Sequence, residues 1–145
     1  MDSEEEDVDK IMMQRDVYLN FNPKAILCLE SALHQNGLST CNDESPFVFA
    51  KVDSMRIAKS FVLVPNNFGE EDIVEIRNRR CTSAERTICE MILFNMQEDF
   101  IIEALADYES KNGNFKVLLE KANRYNVSNK VLQLIDEIED YFSEC

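Results

Sequence analysis

One histidine, His34, and five cysteines, Cys28, Cys41, Cys81, Cys89 and Cys145, are the side chains of this chain best suited to nucleophilic or metal chemistry. Nucleophilic catalysis sets a Ser, Cys or Thr beside a base, usually histidine, that a third group orients. His34 stands apart from any such motif. Structural zinc needs four clustered ligands, usually in CxxC-like pairs, and a disulfide framework needs an even set. The cysteines meet neither demand. No GxxxxGK[ST], GxGxxG or HExxH stretch occurs either, so phosphate cradling, dinucleotide binding and zinc hydrolysis lack their usual residues. No catalytic residue, metal ligand or cofactor is assigned. The expectation is a non-enzyme with reduced, mostly buried thiols, as in the cytoplasm or nucleus.

Charge is the stronger signal. Residues 1–9 hold six carboxylates (Asp2, Glu4, Glu5, Glu6, Asp7, Asp9), and residues 136–145 hold five (Asp136, Glu137, Glu139, Asp140, Glu144), with no Lys or Arg in either stretch. The formal net charge is −13, and nearly all of it belongs to these ends. A field of this sign repels phosphate backbones and attracts basic partners. Asp136, Glu137, Glu139 and Asp140 are therefore candidate contacts for a protein partner with a basic surface, against the plainer reading of a solvated helix face. Ser3, followed by three glutamates, is a candidate phosphorylation site. The one basic concentration is Arg77, Arg79 and Arg80, with Arg86 beyond it. It could touch phosphate or an acidic peptide, or simply end a helix with local ion pairs worth at most about 1 kcal/mol.

The elements that must position these residues read as helices. At 145 residues the chain can bury a core of its own, and three Gly and three Pro supply few of the turns that dense β-structure needs. We expect an acidic tail over residues 1–7 and a single domain over 8–145, mainly α, built as a compact bundle of about six or seven helices. Asn22, Pro23 and Gly37 frame one helix, after a shorter one near residues 8–19. GEEDIVEIRNRR, acids first and arginines last, suits the macrodipole of another.

Thr82 and Glu85 form a capping box that opens a long central helix over residues 83–111, stopped at Asn112-Gly113, with a bend near Asn95 to Asp99. Phe115, Leu118, Leu119, Ala122 and Tyr125, then Val131, Leu132, Ile135, Ile138 and Phe142, mark two closing helices, the second capped by Ser128. Residues 46–64 fit both periods. A helix is favoured because no strong two-residue turn interrupts them, and the alternative is an α+β fold with a hairpin there.

No segment is apolar for long enough to cross a membrane, and the acidic N-terminus is unlike a secretory signal. The functional expectation is a protein–protein interaction module, an adaptor, regulatory subunit or inhibitor, that binds a partner segment through a helical groove or face; it could also form oligomers. A compact bundle with a central apolar helix is similar in architecture to Bcl-2-like proteins, some of them viral. That resemblance would imply a regulator of cell death or signalling, although their glycine-arginine signature is missing. A third reading is a nucleic-acid-associated subunit using Arg77, Arg79, Arg80 and Arg86. The acidic closing helix argues against it, since phosphate contact needs Lys and Arg.

Overall fold

The computed structural model describes residues 25–38, 47–50, 56–58, 61–65 and 72–143. In chain order they form β1 (Ile26–Leu27), α1 (Leu29–Gln35), β2 (Phe47–Ala50), β3 (Arg56–Ala58), β4 (Phe61–Pro65), β5 (Ile73–Ile76), β6 (Arg79–Thr82), α2 (Ala84–Leu93), α3 (Glu98–Ser110), α4 (Phe115–Arg124) and α5 (Ser128–Ser143). Helices hold most of the described residues, as expected. The described helices number five rather than six or seven, and they share the molecule with a six-stranded mixed sheet in the order β3-β4-β2-β1-β6-β5. An all-helical bundle was the whole basis of the Bcl-2-like likeness, and the sheet removes it.

Three segments expected to be helical hold strands: in the one framed by Asn22 and Gly37, Ile26–Leu27 are β1, paired with β2 and β6, and the helix starts only at Leu29. Within residues 46–64, β2 and β4 pair in parallel, Phe47 opposite Val62 and Phe49 opposite Val64. The antiparallel partner of β4 is β3, Ile57 opposite Val62. Neither a helix nor a hairpin spanning the whole segment is right. The aromatic and β-branched composition of these strands outweighed a coincidental helical spacing. Residues 73–82 likewise form a hairpin, Val74 opposite Cys81 and Glu75 opposite Arg80. Its turn residues Arg77 and Asn78 both take positive φ, 51° and 63°, the backbone of a type I′ turn. Residues 73–82 of GEEDIVEIRNRR therefore form no helix whose macrodipole the charges could suit; Glu75 and Arg80 stand opposite each other across the strands.

A repeated stop signal shapes the helical half. In the Schellman motif the residue at C′ takes left-handed φ and the amide of C″ reaches back five residues. Gly37, Asn95, Asn112 and Asn126 all have positive φ. After them Leu38, Met96, Gly113 and Val127 donate to the carbonyls of Leu33, Met91, Tyr108 and Ala122 at 2.8–2.9 Å. Asn95 thus cuts the expected helix over residues 83–111 into α2 and α3. The N-cap is one residue later than expected: Ser83 accepts from the Arg86 amide at 3.2 Å, while the Thr82 hydroxyl lies 2.6 Å from that of Thr87. Asn114 caps α4 with its side chain. Ser128 is already inside α5, so it does not cap from outside.

The layers follow from burial. α1 packs against α2, β2 and β6, and α2 in turn against α3 and α4, with α5 closing on α3 and α4. One apolar cluster runs from Ile26 and Leu33 through Ile88 and Met91 to Leu118, Val131, Leu134 and Ile138. In α5 the buried line is Val131, Leu134, Ile138, while Leu132, expected inside, is 48 % exposed. The expected tail over 1–7, the helix near 8–19, Asn22, Pro23 and Ser3 lie outside the described residues. Among the described residues no helix is long and apolar enough to cross a membrane.

Candidate functional site

Of the four arginines, Arg77, Arg79 and Arg80 stay on the β5–β6 hairpin and Arg86 does not join them at the surface. Arg77 is exposed in the hairpin turn, donating to the Gln35 carbonyl at 3.4 Å, and Arg79 and Arg80 are half-buried on β6. Arg86 is fully buried on α2, its Nε 3.1 Å from Glu90 Oε1. The reading that joined Arg86 to a surface patch is therefore corrected. With Ser83 as N-cap, Arg86 shares a helix face with Glu90, and residues 86–91 are all buried, so α2 presents no solvent side over that stretch.

Further polar side chains join the β5–β6 hairpin to the helices. Asp72 accepts from Lys121 Nζ of α4 at 2.5 Å, and its carbonyl accepts from the Ser83 amide at 2.7 Å. Gln35 donates to the Ile76 carbonyl, and Asn36 to that of Thr82 at 3.1 Å. These bonds fasten β5 and β6 to α1 and α4. Burial, with Asp72 adding to it, pushes the Glu90 carboxyl up to about 7 against the opposing pull of Arg86. Cys28, Cys81 and Cys89 are buried free thiols, and burial pushes Cys89 up to about 12 and Cys81 to about 11. A thiol needs its thiolate to attack or to bind metal, so these three are poor nucleophiles. Among the described residues no three His, Cys, Asp or Glu side chains come together to hold a metal ion.

The surface feature that the architecture builds is a groove at the α2–α3 elbow. Asn95, with left-handed φ, ends α2 before α3 begins at Glu98, and Lys130 near the start of α5 lines the same recess. The groove encloses about 470 Å³ and is lined by Ile92, Asn95, Met96, Glu98, Ile101 and Lys130. Its floor is apolar. Lys130 of α5 and Glu98 of α3 meet across it at 3.5 Å, both partly exposed. Met is unbranched and polarisable, a side chain that accommodates varied apolar surfaces.

Of the acids expected to meet a partner, Asp136, Glu137 and Glu139 are all exposed on α5, away from the buried line. The Asp140 side chain lies outside the described residues. Sequence reasoning missed Ile92, Met96, Ile101, Glu98 and Lys130 as a site, because it read residues 83–111 as one helix that only bends near Asn95 to Asp99, where the structure has two helices. The available signal was Asn95 followed by Met96, the same order of a left-handed residue and an apolar one as in Asn126-Val127. Neither a protein family, a curated protein nor a solved structure matches the chain.

Proposed function

We propose that the protein is a non-enzymatic interaction module, an adaptor, regulatory subunit or inhibitor, that holds a partner segment in the α2–α3 groove. The observation that carries this reading is the apolar floor of Ile92, Met96 and Ile101, left open by the elbow and bounded by Glu98 and Lys130. A concave apolar site edged by a few polar groups is the usual form of a recognition pocket. Extended or helical segments dock into such grooves through periodic apolar anchors. Long-range attraction from Asp136, Glu137 and Glu139 accelerates the encounter with a basic partner more than it slows dissociation.

The test separates groove from charge. A photo-crosslinking residue at Met96 itself would perturb the floor, so the crosslinker belongs at the exposed neighbour Gln97, with a control at Val117 on α4. Partner capture from the source cell through position 97, lost on Met96→Lys while circular dichroism stays helical, supports the reading. Equal capture from both positions, or capture indifferent to Met96→Lys, overturns it.

A further inference from the structure

Two of the three helices that line the groove, α3 and α5, carry an excess of acid. α3 carries Glu98, Asp99, Glu103, Asp107 and Glu109 with no Lys or Arg, and α5 carries Asp136, Glu137, Glu139 and Asp140 with Lys130 as its sole base. Glu98 and Asp99 have a local reason, since they lie in the first turn of α3, where the macrodipole favours carboxylates. Glu137 has none. It follows Lys130 by two helical turns, so it continues the same strip of α5 about 10 Å beyond the groove. It is exposed, and Gln133, a neutral side chain, donates to it at 3.3 Å. Glu109, three turns after Glu98 on α3, is exposed as well. The one base, Lys130, is held 3.5 Å from Glu98 in a partly exposed pair, and such pairs exchange partners at little cost.

Resting on the groove reading above, we propose that the occupant is a basic amphipathic helix of the partner. Its apolar side chains, spaced at i, i+3 and i+4, enter between Ile92, Met96 and Ile101. A Lys or Arg on its flank takes Glu98 from Lys130, and a second basic side chain two turns on meets Glu137. Lys130 is then an internal placeholder for the partner's cation, and Glu98 is the residue that selects it. Without a partner, the Glu98–Lys130 pair keeps the carboxylate satisfied at the mouth of an apolar groove. An acidic segment would leave Glu98 and Glu137 facing like charge, which is the repulsive half of specificity.

Synthetic peptides of about 18 residues, long enough to form a helix on binding, provide the probes. Three carry Leu at i, i+3 and i+4 positions and differ in having Lys, Gln or Glu elsewhere; a fourth scrambles the Lys peptide so that its Leu no longer share a face. Binding is read by fluorescence anisotropy, and location by the methyl NMR signals of Ile92, Met96 and Ile101. The Lys peptide is expected to shift those methyls, to bind about tenfold more weakly to Glu98→Gln with Glu137→Gln, and to bind more tightly to Lys130→Ala. Binding of the Gln or Glu peptide at the same methyls with equal affinity would leave the groove standing and sink the basic partner. Lys and scrambled peptides that bind alike without moving the methyls would show diffuse attraction to an acidic surface and overturn the inference. No methyl shift with any peptide would overturn both this inference and the groove reading.

Discussion

Arg86 Nε and Glu90 Oε1 lie 3.1 Å apart, one turn along α2, and neither side chain reaches solvent. Glu90 Oε2 has no hydrogen-bond partner among the described residues. A buried pair contributes little net stability over apolar residues of the same size, but removing one partner strands the other's charge, at a cost of about 3–5 kcal/mol. Glu90→Leu alone should therefore destabilise by about that amount in urea unfolding at a pH above 7, where the Glu90 carboxyl is ionised. Arg86→Met with Glu90→Leu should recover most of the loss, and simple additivity of the two single changes would contradict a coupled pair.

Glu90 also makes stability depend on pH in an unusual direction. Its folded-state pKa, about 7, lies above the ordinary carboxylate value of 4.5, chiefly through burial. The folded protein thus holds a proton that the unfolded chain releases. The contribution is fully present below the unfolded value and is lost as pH rises through 7, with a slope of at most about 1.4 kcal/mol per pH unit. Glu90→Gln should therefore gain on the parent between about pH 4.5 and 7 and hold a constant difference above that. Parallel stability curves for the two proteins across this window would show that Glu90 titrates normally.

At the hairpin turn, Arg77 sits at φ 51° and Asn78 at φ 63°. Left-handed backbone costs most side chains about 1–2 kcal/mol, less for Asn and least for Gly. Replacing Arg77 with Asn and Asn78 with Gly should raise stability by about 1 kcal/mol in thermal unfolding. A loss would mean that the Arg77 contact to the Gln35 carbonyl outweighs the turn preference. Because the change also removes an exposed base, unaltered partner capture would place Arg77 outside the interface.

Gly113 has no room for a side chain: a Cβ there would come within 2.5 Å of the Tyr108 ring. That ring packs edge-on against Phe115 at 5.2 Å, and its hydroxyl lies 2.7 Å from both Glu85 Oε2 and the Asn114 carbonyl. Gly113→Ala must displace the ring and should cost about 1–3 kcal/mol. Tyr108→Phe keeps the packing and should cost only about 1 kcal/mol. Equal losses from the two in chemical denaturation would indicate that the hydroxyl, not the ring position, holds this corner.

The helix stops were legible where a residue's own backbone preference is strong. Gly37 and Asn112-Gly113 could be placed as ends because left-handed φ suits few residues, and the two closing helices stood out through their apolar spacing. The strands were less legible. Phe47–Ala50 gains its ladder from Phe61–Pro65, a partner that local period does not state, and Ile73–Ile76 pairs with Arg79–Thr82 across a turn, Arg77-Asn78, that lacks the glycine of the usual hairpin signal. Arg86 was illegible for a related reason. A helix buried on every side over residues 86–91 shows no periodic face, so a charged residue within it looks like a surface residue. The groove could not be seen from a bend alone: it needs the full break at Asn95, which brings Ile92 of α2 and Met96 and Ile101 beyond it to one recess.

The sheet is joined across its middle by the two residues of β1, antiparallel to β2 through Ile26 and Leu27 and parallel to β6 through Leu27 opposite Cys81. During synthesis β1 emerges with β2, β3 and β4 close behind, whereas β6 appears only after residues 28–78 have been made. The strands β3, β4, β2 and β1 can assemble first, leaving one open edge on β1. The β5–β6 hairpin, which closes on itself, then arrives as a finished unit to cover it. On a ribosome, that exposed edge would last for as long as the intervening chain takes to be translated, and this interval is when a holding chaperone would find the nascent protein most available.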